Sequence, residues 1–124
     1  MEDQQLVRVL CATRIGLGTL FQVAPGLLAR AWVGEGAAQP AAKALARALG
    51  ARDAALGLGT LIALQHGEST RGWLEASALA DAGDAAATLI GWRHLPAFSR
   101  WLALAASLSA AYTGVRLARG ESGA

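Results

Sequence analysis

The chain of 124 residues has the length of one domain. It is 54% hydrophobic and only 16% charged, whereas ordinary soluble domains carry about 25% charged residues, so its composition points to a membrane or to an unusually buried bundle. A net charge of +2 without a basic run argues against a nucleic-acid partner, and a single cysteine, Cys11, excludes an intrachain disulfide.

Breakers divide the chain into four helical segments. The N-terminus reads Met-Glu-Asp rather than a basic n-region, and Arg14 interrupts the apolar run, so a secretory signal peptide is not expected. The first segment starts near Gln4 and reaches the break Ala24-Pro25-Gly26, after which a short amphipathic continuation extends to Trp32. Gly34-Glu35-Gly36 opens a loop. Pro40 suits the first turn of a second segment that ends near Gln65, with Gly67 at its C-terminal cap. Ser69 or Thr70 can cap the third, which runs from Arg71 to about Trp92. The fourth spans roughly residues 97 to 117, and Arg119 to Ala124 reads as a frayed polar tail. β-branched residues are few and no strand pattern competes. The expected fold is all-α: a four-helix antiparallel up-down bundle, single-domain and transmembrane, because the segments are about 20 residues long and their connections are short.

Tryptophan placement agrees with a bilayer. Trp32, Trp73, Trp92 and Trp101 all fall at segment ends, the first, third and fourth on one side of the bundle and Trp73 on the other. The expected location is therefore the cell membrane, multi-pass, with lipid as a partner. Against this, the longest uncharged run in the second segment is only Ala54 to Gln65, and the third carries Glu75, Asp81 and Asp84. Such segments need their neighbours to insert. Arginine and lysine divide almost evenly between the two sides and set no orientation.

Small residues recur at helical spacing: Ala42, Ala46, Gly50 and Ala54 in the second segment, and Ala78, Ala82 and Ala86, with Ala76 and Ala80, in the third. Such rows allow close backbone approach. Polar residues form stripes too: Arg14, Gly18 and Gln22; Ser77, Asp81, Asp84 and Thr88; Ser109, Tyr112, Thr113 and Arg116. Antiparallel packing of equal helices brings Arg14, Asp53 and the Asp81/Asp84 pair to one level. The expectation is an interior cluster of Arg14, Arg52, Asp53, Asp81 and Asp84 with Tyr112 in reach. Two arginines against three carboxylates leave one negative charge, to be balanced by Arg47 or Arg116 or by a proton on one aspartate. Two adjacent carboxylates in a dry site make Asp81 or Asp84 a candidate proton carrier.

Other signals are weak. His66 and His94 fall at opposite ends and cannot share a metal, so no metal or cofactor is expected. Gly16-Leu17-Gly18 and Gly57-Leu58-Gly59 lack the strand-turn-helix context of a phosphate loop.

The stretch Leu49-Gly50-Ala51-Arg52-Asp53 with Gly57, the stretch Ala80-Asp81-Ala82-Gly83-Asp84, and the Ala24-Pro25 break followed by Leu28 to Gly34 resemble a family of small four-helix bacterial membrane proteins known only as a domain of unknown function (family 4267), and more distantly the DoxX-like membrane proteins. The resemblance implies a four-helix integral membrane fold and no reaction. Two functions follow as expectations. One is a non-enzymatic accessory subunit, or a binder of a lipophilic small molecule, able to form a homo-oligomer, in which the charges set helix pairing. The other is an intramembrane acid–base enzyme of cyclase or isomerase type. In it Asp81, Asp84 or Asp53 would move the proton and Arg14 or Arg52 would stabilise negative charge, beside a cavity at Asp81 and Asp84.

Overall fold

Pro25 has no amide hydrogen to continue a helix and restricts the residue before it. Ala24 accordingly leaves the helical region, at φ −135° and ψ 57°, and the first expected segment becomes two helices. The computed structural model describes residues 2–122. Among these there is no strand, and there are five α-helices: α1 (Glu2–Val23), α2 (Pro25–Val33), α3 (Pro40–Gln65), α4 (Arg71–Ile90) and α5 (Ala97–Ser122), with 3₁₀ turns at Gly34–Ala38 and Trp92–His94. Pro40 starts α3 as expected, and α3 ends as expected too. Gly67 takes the left-handed conformation at φ 70°, letting its own N–H donate to Leu64 O and that of Glu68 to Ala63 O.

The long helices form two antiparallel pairs. In the first, α1 and α3 approach at glycines. A methyl group on Gly50 would lie 2.7 Å from the Gly18 carbonyl oxygen, and one on Gly57 would lie 2.9 Å from that of Cys11. Gln22 extends the contact, its Nε2 donating to Arg47 O at 2.7 Å while Arg47 Nε donates to Gln22 O at 3.2 Å. The stripe of Arg14, Gly18 and Gln22 thus faces α3 along its whole length. In the second pair, α4 meets α5 where Gly114 sits against Ala78 and Leu74. The two pairs join through a small apolar cluster (Val7, Cys11, Leu74, Leu117 and Ala118) at the end where the chain starts. At the opposite end Ala29, Ala37 and Ala46 pack with Phe21.

Of the finer expectations, the α4 stripe holds and others change. On α4 the buried face is Leu74, Ser77, Ala78, Asp81, Ala85 and Thr88, so the polar stripe turns inward. Of the expected small-residue rows, Ala78 is buried against Gly114 of α5, Ala80 is half-buried, and Ala76, Ala82 and Ala86 are exposed. On α5 the stripe points outward, with Ser109, Tyr112 and Arg116 exposed. Helix α5 also runs past the expected end near residue 117. Glu121 holds it, accepting from Thr70 N–H at 2.7 Å and from Thr70 Oγ1 at 2.8 Å. Thr70 therefore spends its hydroxyl on α5 instead of capping α4. The last two residues of the expected polar tail, Gly123 and Ala124, lie outside the described residues. Glu121→Ala is expected to cost about 1–2 kcal/mol and to speed hydrogen exchange in the last turn of α5 while α1 is unchanged. Equal protection of that turn in both proteins would show the contact to be inert.

Among the described residues, α1 is the one helix long and apolar enough to cross a membrane, by length and composition. Helices α3 and α4 fall short because Arg52, Asp53, Asp81 and Asp84 sit at mid-length.

Candidate functional site

The level between the two apolar clusters is ionic. Arg14 reaches out of α1 between α3 and α4. Its Nη1 donates to Asp53 Oδ1 at 3.1 Å and its Nη2 donates to Asp81 Oδ2. Arg52 continues the chain of charges. Its two terminal nitrogens grip both oxygens of Asp84 at 3.0 and 2.7 Å, and Nη2 also lies 3.5 Å from Asp53 Oδ1. The order is Asp81, Arg14, Asp53, Arg52, Asp84, with three helices contributing. The fork-to-carboxylate geometry of Arg52 on Asp84 is the strong, directional form of such pairing. The side chains of Arg14 and Asp81 are only 12% and 8% exposed, while Arg52 is the most open member.

Five of the six expected site residues are therefore together. Tyr112 is not: it is 71% exposed and lines an outer groove between α4 and α5 with Glu75 and Arg116. It sits one turn before Arg116 on the outward face of α5, and a tyrosine there cannot turn through its own helix to reach α3. Nor do the arginines expected to balance the charge take part. Arg47 is bound to the Gln22 carbonyl, and Arg116 pairs with Asp3 at 3.7 Å on the surface. The network itself holds two guanidiniums and three carboxyl groups.

Two cavities adjoin this level. One, of about 10 Å³, is lined by Cys11, Arg14, Thr60 and Ser77 and has room for about one water. The other, of about 290 Å³, opens toward the α2 end between α1, α2, α3 and α4. Phe21, Trp32, Leu45, Leu49 and Leu95 form most of its wall, and Thr88 is its main polar side chain. Thr88 is one turn from Asp84, and its hydroxyl already donates to the Asp84 carbonyl at 2.8 Å. Asp53, Asp81 and Asp84 line neither cavity, so the expected cavity beside the carboxylates is displaced by a helical turn. Sequence reasoning found Thr88 and Trp32 only as a stripe member and a helix-end aromatic. The cavity depends on how α2 folds back beside α3, which no local pattern specifies.

Among the described residues no three His, Cys, Asp or Glu side chains converge on a metal-sized site. At the α2 end, Trp92 and Trp101 meet edge to face with centroids 4.9 Å apart, and the Arg100 guanidinium lies 4.9 Å above the Trp92 ring. Comparison of the chain with protein-family models, with curated proteins and with solved structures returns no match.

Proposed function

We propose that the chain is a multi-pass integral membrane protein that binds a small lipophilic molecule, and that its Arg–Asp network fixes which helices pair. The carrying observation is an inverted distribution of polarity. Large apolar side chains point outward: Ile90 is 87% exposed, Phe98 79% and Leu79 76%. The mid-helix charges point inward and meet one another. In a bilayer this arrangement presents hydrocarbon to lipid and neutralises ionised groups within the bundle. It also explains how α3 and α4, too charged to insert alone, would be carried by their neighbours. The tryptophans at the helix ends belong to the same reading. The apolar cavity beside α2 supplies the ligand site: it is concave, mostly apolar and near the lower size limit of small-molecule pockets.

The acid–base alternative needs a carboxylate facing a substrate. Asp84 has both oxygens held by Arg52, and Asp53 and Asp81 are each engaged by Arg14, which favours the structural role of the network.

Fractionation of expressing cells tests the membrane reading. The protein is expected to stay with carbonate-washed membranes and to need detergent for extraction. A folded helical species in the soluble fraction would overturn it.

A further inference from the structure

The outer groove between α4 and α5 leaves about 760 Å³ along a seam of Ala78, Ala82 and Ala111, bordered by the longer side chains of Leu79, Leu108 and Val115. Leu79, Leu108 and Tyr112 are each more than half exposed, so the described chain does not cover this face. Polarity is graded along it. Leu108 lies near the middle of α5, whereas Arg119 is in its last turn. On α4, running the other way, Ala82 is near mid-helix and Glu75 is one turn from the start. The charged lining residues, Glu75, Arg116 and Arg119, therefore gather at one end, and the other end is apolar. From Leu108 to Arg119 the helix rises about 16 Å at 1.5 Å per residue, the depth of one leaflet in a hydrocarbon core of roughly 30 Å.

The charged end is cationic. Glu75 is engaged by Arg71 at 2.8 Å, and Glu121 is turned to Thr70. Arg116 has a single 3.7 Å contact with Asp3, both side chains being more than half exposed, and such a pair contributes little. Arg119 has no ion pair among the described residues.

We propose that this groove holds one membrane phospholipid with an anionic headgroup, an acyl chain lying along the alanine seam and Arg116 and Arg119 binding the phosphate. Tyr112, one turn deeper than Arg116, falls at the level of the ester oxygens, where an amphipathic ring is suited. The inference rests on the membrane reading above and concerns a different site from the cavity beside α2. A second copy of the chain is the competing occupant. A two-fold axis along the membrane normal would set Arg116 and Arg119 at the level of their own mates, with Glu75 already engaged. Like charges facing one another there disfavour it.

Native mass spectrometry of the full-length protein in detergent tests this, with phosphatidylglycerol and phosphatidylcholine of identical acyl chains as probes. Wild type is expected to take up one phosphatidylglycerol about tenfold more tightly than phosphatidylcholine. Arg116→Gln together with Arg119→Gln is expected to abolish that preference while phosphatidylcholine binding is unchanged. Arg8→Gln with Arg30→Gln removes the same charge at other exposed positions and is expected to keep it. Ala82→Phe fills the groove from an exposed position on α4 and is expected to lose the bound lipid of either kind. Glycerol 3-phosphate, a head without chains, is expected not to displace the lipid. Equal affinities of wild type for the two lipids would overturn the proposal, and that comparison stands even where a variant fails to fold. So would a preference that survives loss of both arginines, one that the Arg8 and Arg30 control also loses, or displacement by glycerol 3-phosphate. A lipid-free mass of two chains, split by Ala82→Phe, would give the groove to a second copy instead. Each of these outcomes leaves the membrane reading standing. A protein recovered from the soluble fraction removes that reading and this site together.

Discussion

Arg14→Met is expected to lower stability by about 3–5 kcal/mol, because it strips Asp81 of its cation and takes from Asp53 the nearer of its two, leaving Arg52 at 3.5 Å, in a largely buried setting. Methionine keeps most of the length and apolar stem of arginine, so the loss reports charge rather than volume. Replacing the whole network tells the two contributions apart. With Arg14 and Arg52 changed to Met and Asp53, Asp81 and Asp84 changed to Val, no ion is left unpaired, and the stability is expected to return to within about 1–2 kcal/mol of the original. Thermal melts of the detergent-solubilised proteins measure both. If the single substitution melted like wild type, the network would not be holding α1 to α3 and α4.

The second large effect is steric. Gly50→Ala places a methyl group 2.7 Å from the Gly18 carbonyl oxygen and against the Phe21 side chain. Backbone cannot swing aside as a lysine tip can, so α1 and α3 must separate. The expected cost is about 1–3 kcal/mol or more, with loss of the Arg14–Asp53 bond that depends on the same spacing. The identical change at Gly83 meets nothing within 4 Å and lies mid-way along an exposed face of α4. There it is expected to stabilise by about 0.4–1 kcal/mol through restriction of the unfolded chain. Opposite signs for one chemical change would tie the first to helix contact. Equal melting temperatures for the Gly50 and Gly83 variants would refute the close approach.

Much of this arrangement was legible in the residues themselves. Pro25, Pro40 and Gly67 act locally, through a missing donor or a left-handed turn, and so marked helix boundaries well. The charges at Arg14, Arg52, Asp53, Asp81 and Asp84 were legible for a different reason. Each is too costly to leave unpaired in an apolar segment, and antiparallel helices of similar length offer few ways to pair them. What stayed hidden depends on rotation about a helix axis. Tyr112 shares a stripe with Thr113 and Arg116, but which way α5 turns that stripe is decided by Gly114 and Leu117 packing on α4. The alanine rows on α4 were legible only in part: Ala78 meets Gly114 while Ala76, Ala82 and Ala86 stay exposed, since alanine permits contact on any face and selects none. The extra length of α5 comes from Thr70 and Glu121, 51 positions apart in the chain.

The span of the Arg14 contacts bears on how the protein is made. Its partners lie 39 and 67 residues downstream. At about 5–20 residues per second, Asp53 is synthesised roughly 2–8 s after Arg14 and Asp81 roughly 3–13 s after it. In a bilayer an arginine waiting alone at mid-depth costs about 2.5–3.5 kcal/mol on insertion scales. On the membrane reading proposed above, helix α1 is expected to linger at the insertion machinery, or to lie shallow, until α3 packs against it and brings Asp53 to Arg14. Helix α4 follows, ahead of its partner α5, bringing Asp81 to an arginine already in place and Asp84 to Arg52. The timetable of translation thus becomes the order of assembly, and lengthening the segment between α1 and α3 would prolong the stage at which the nascent chain is most exposed to quality-control proteolysis.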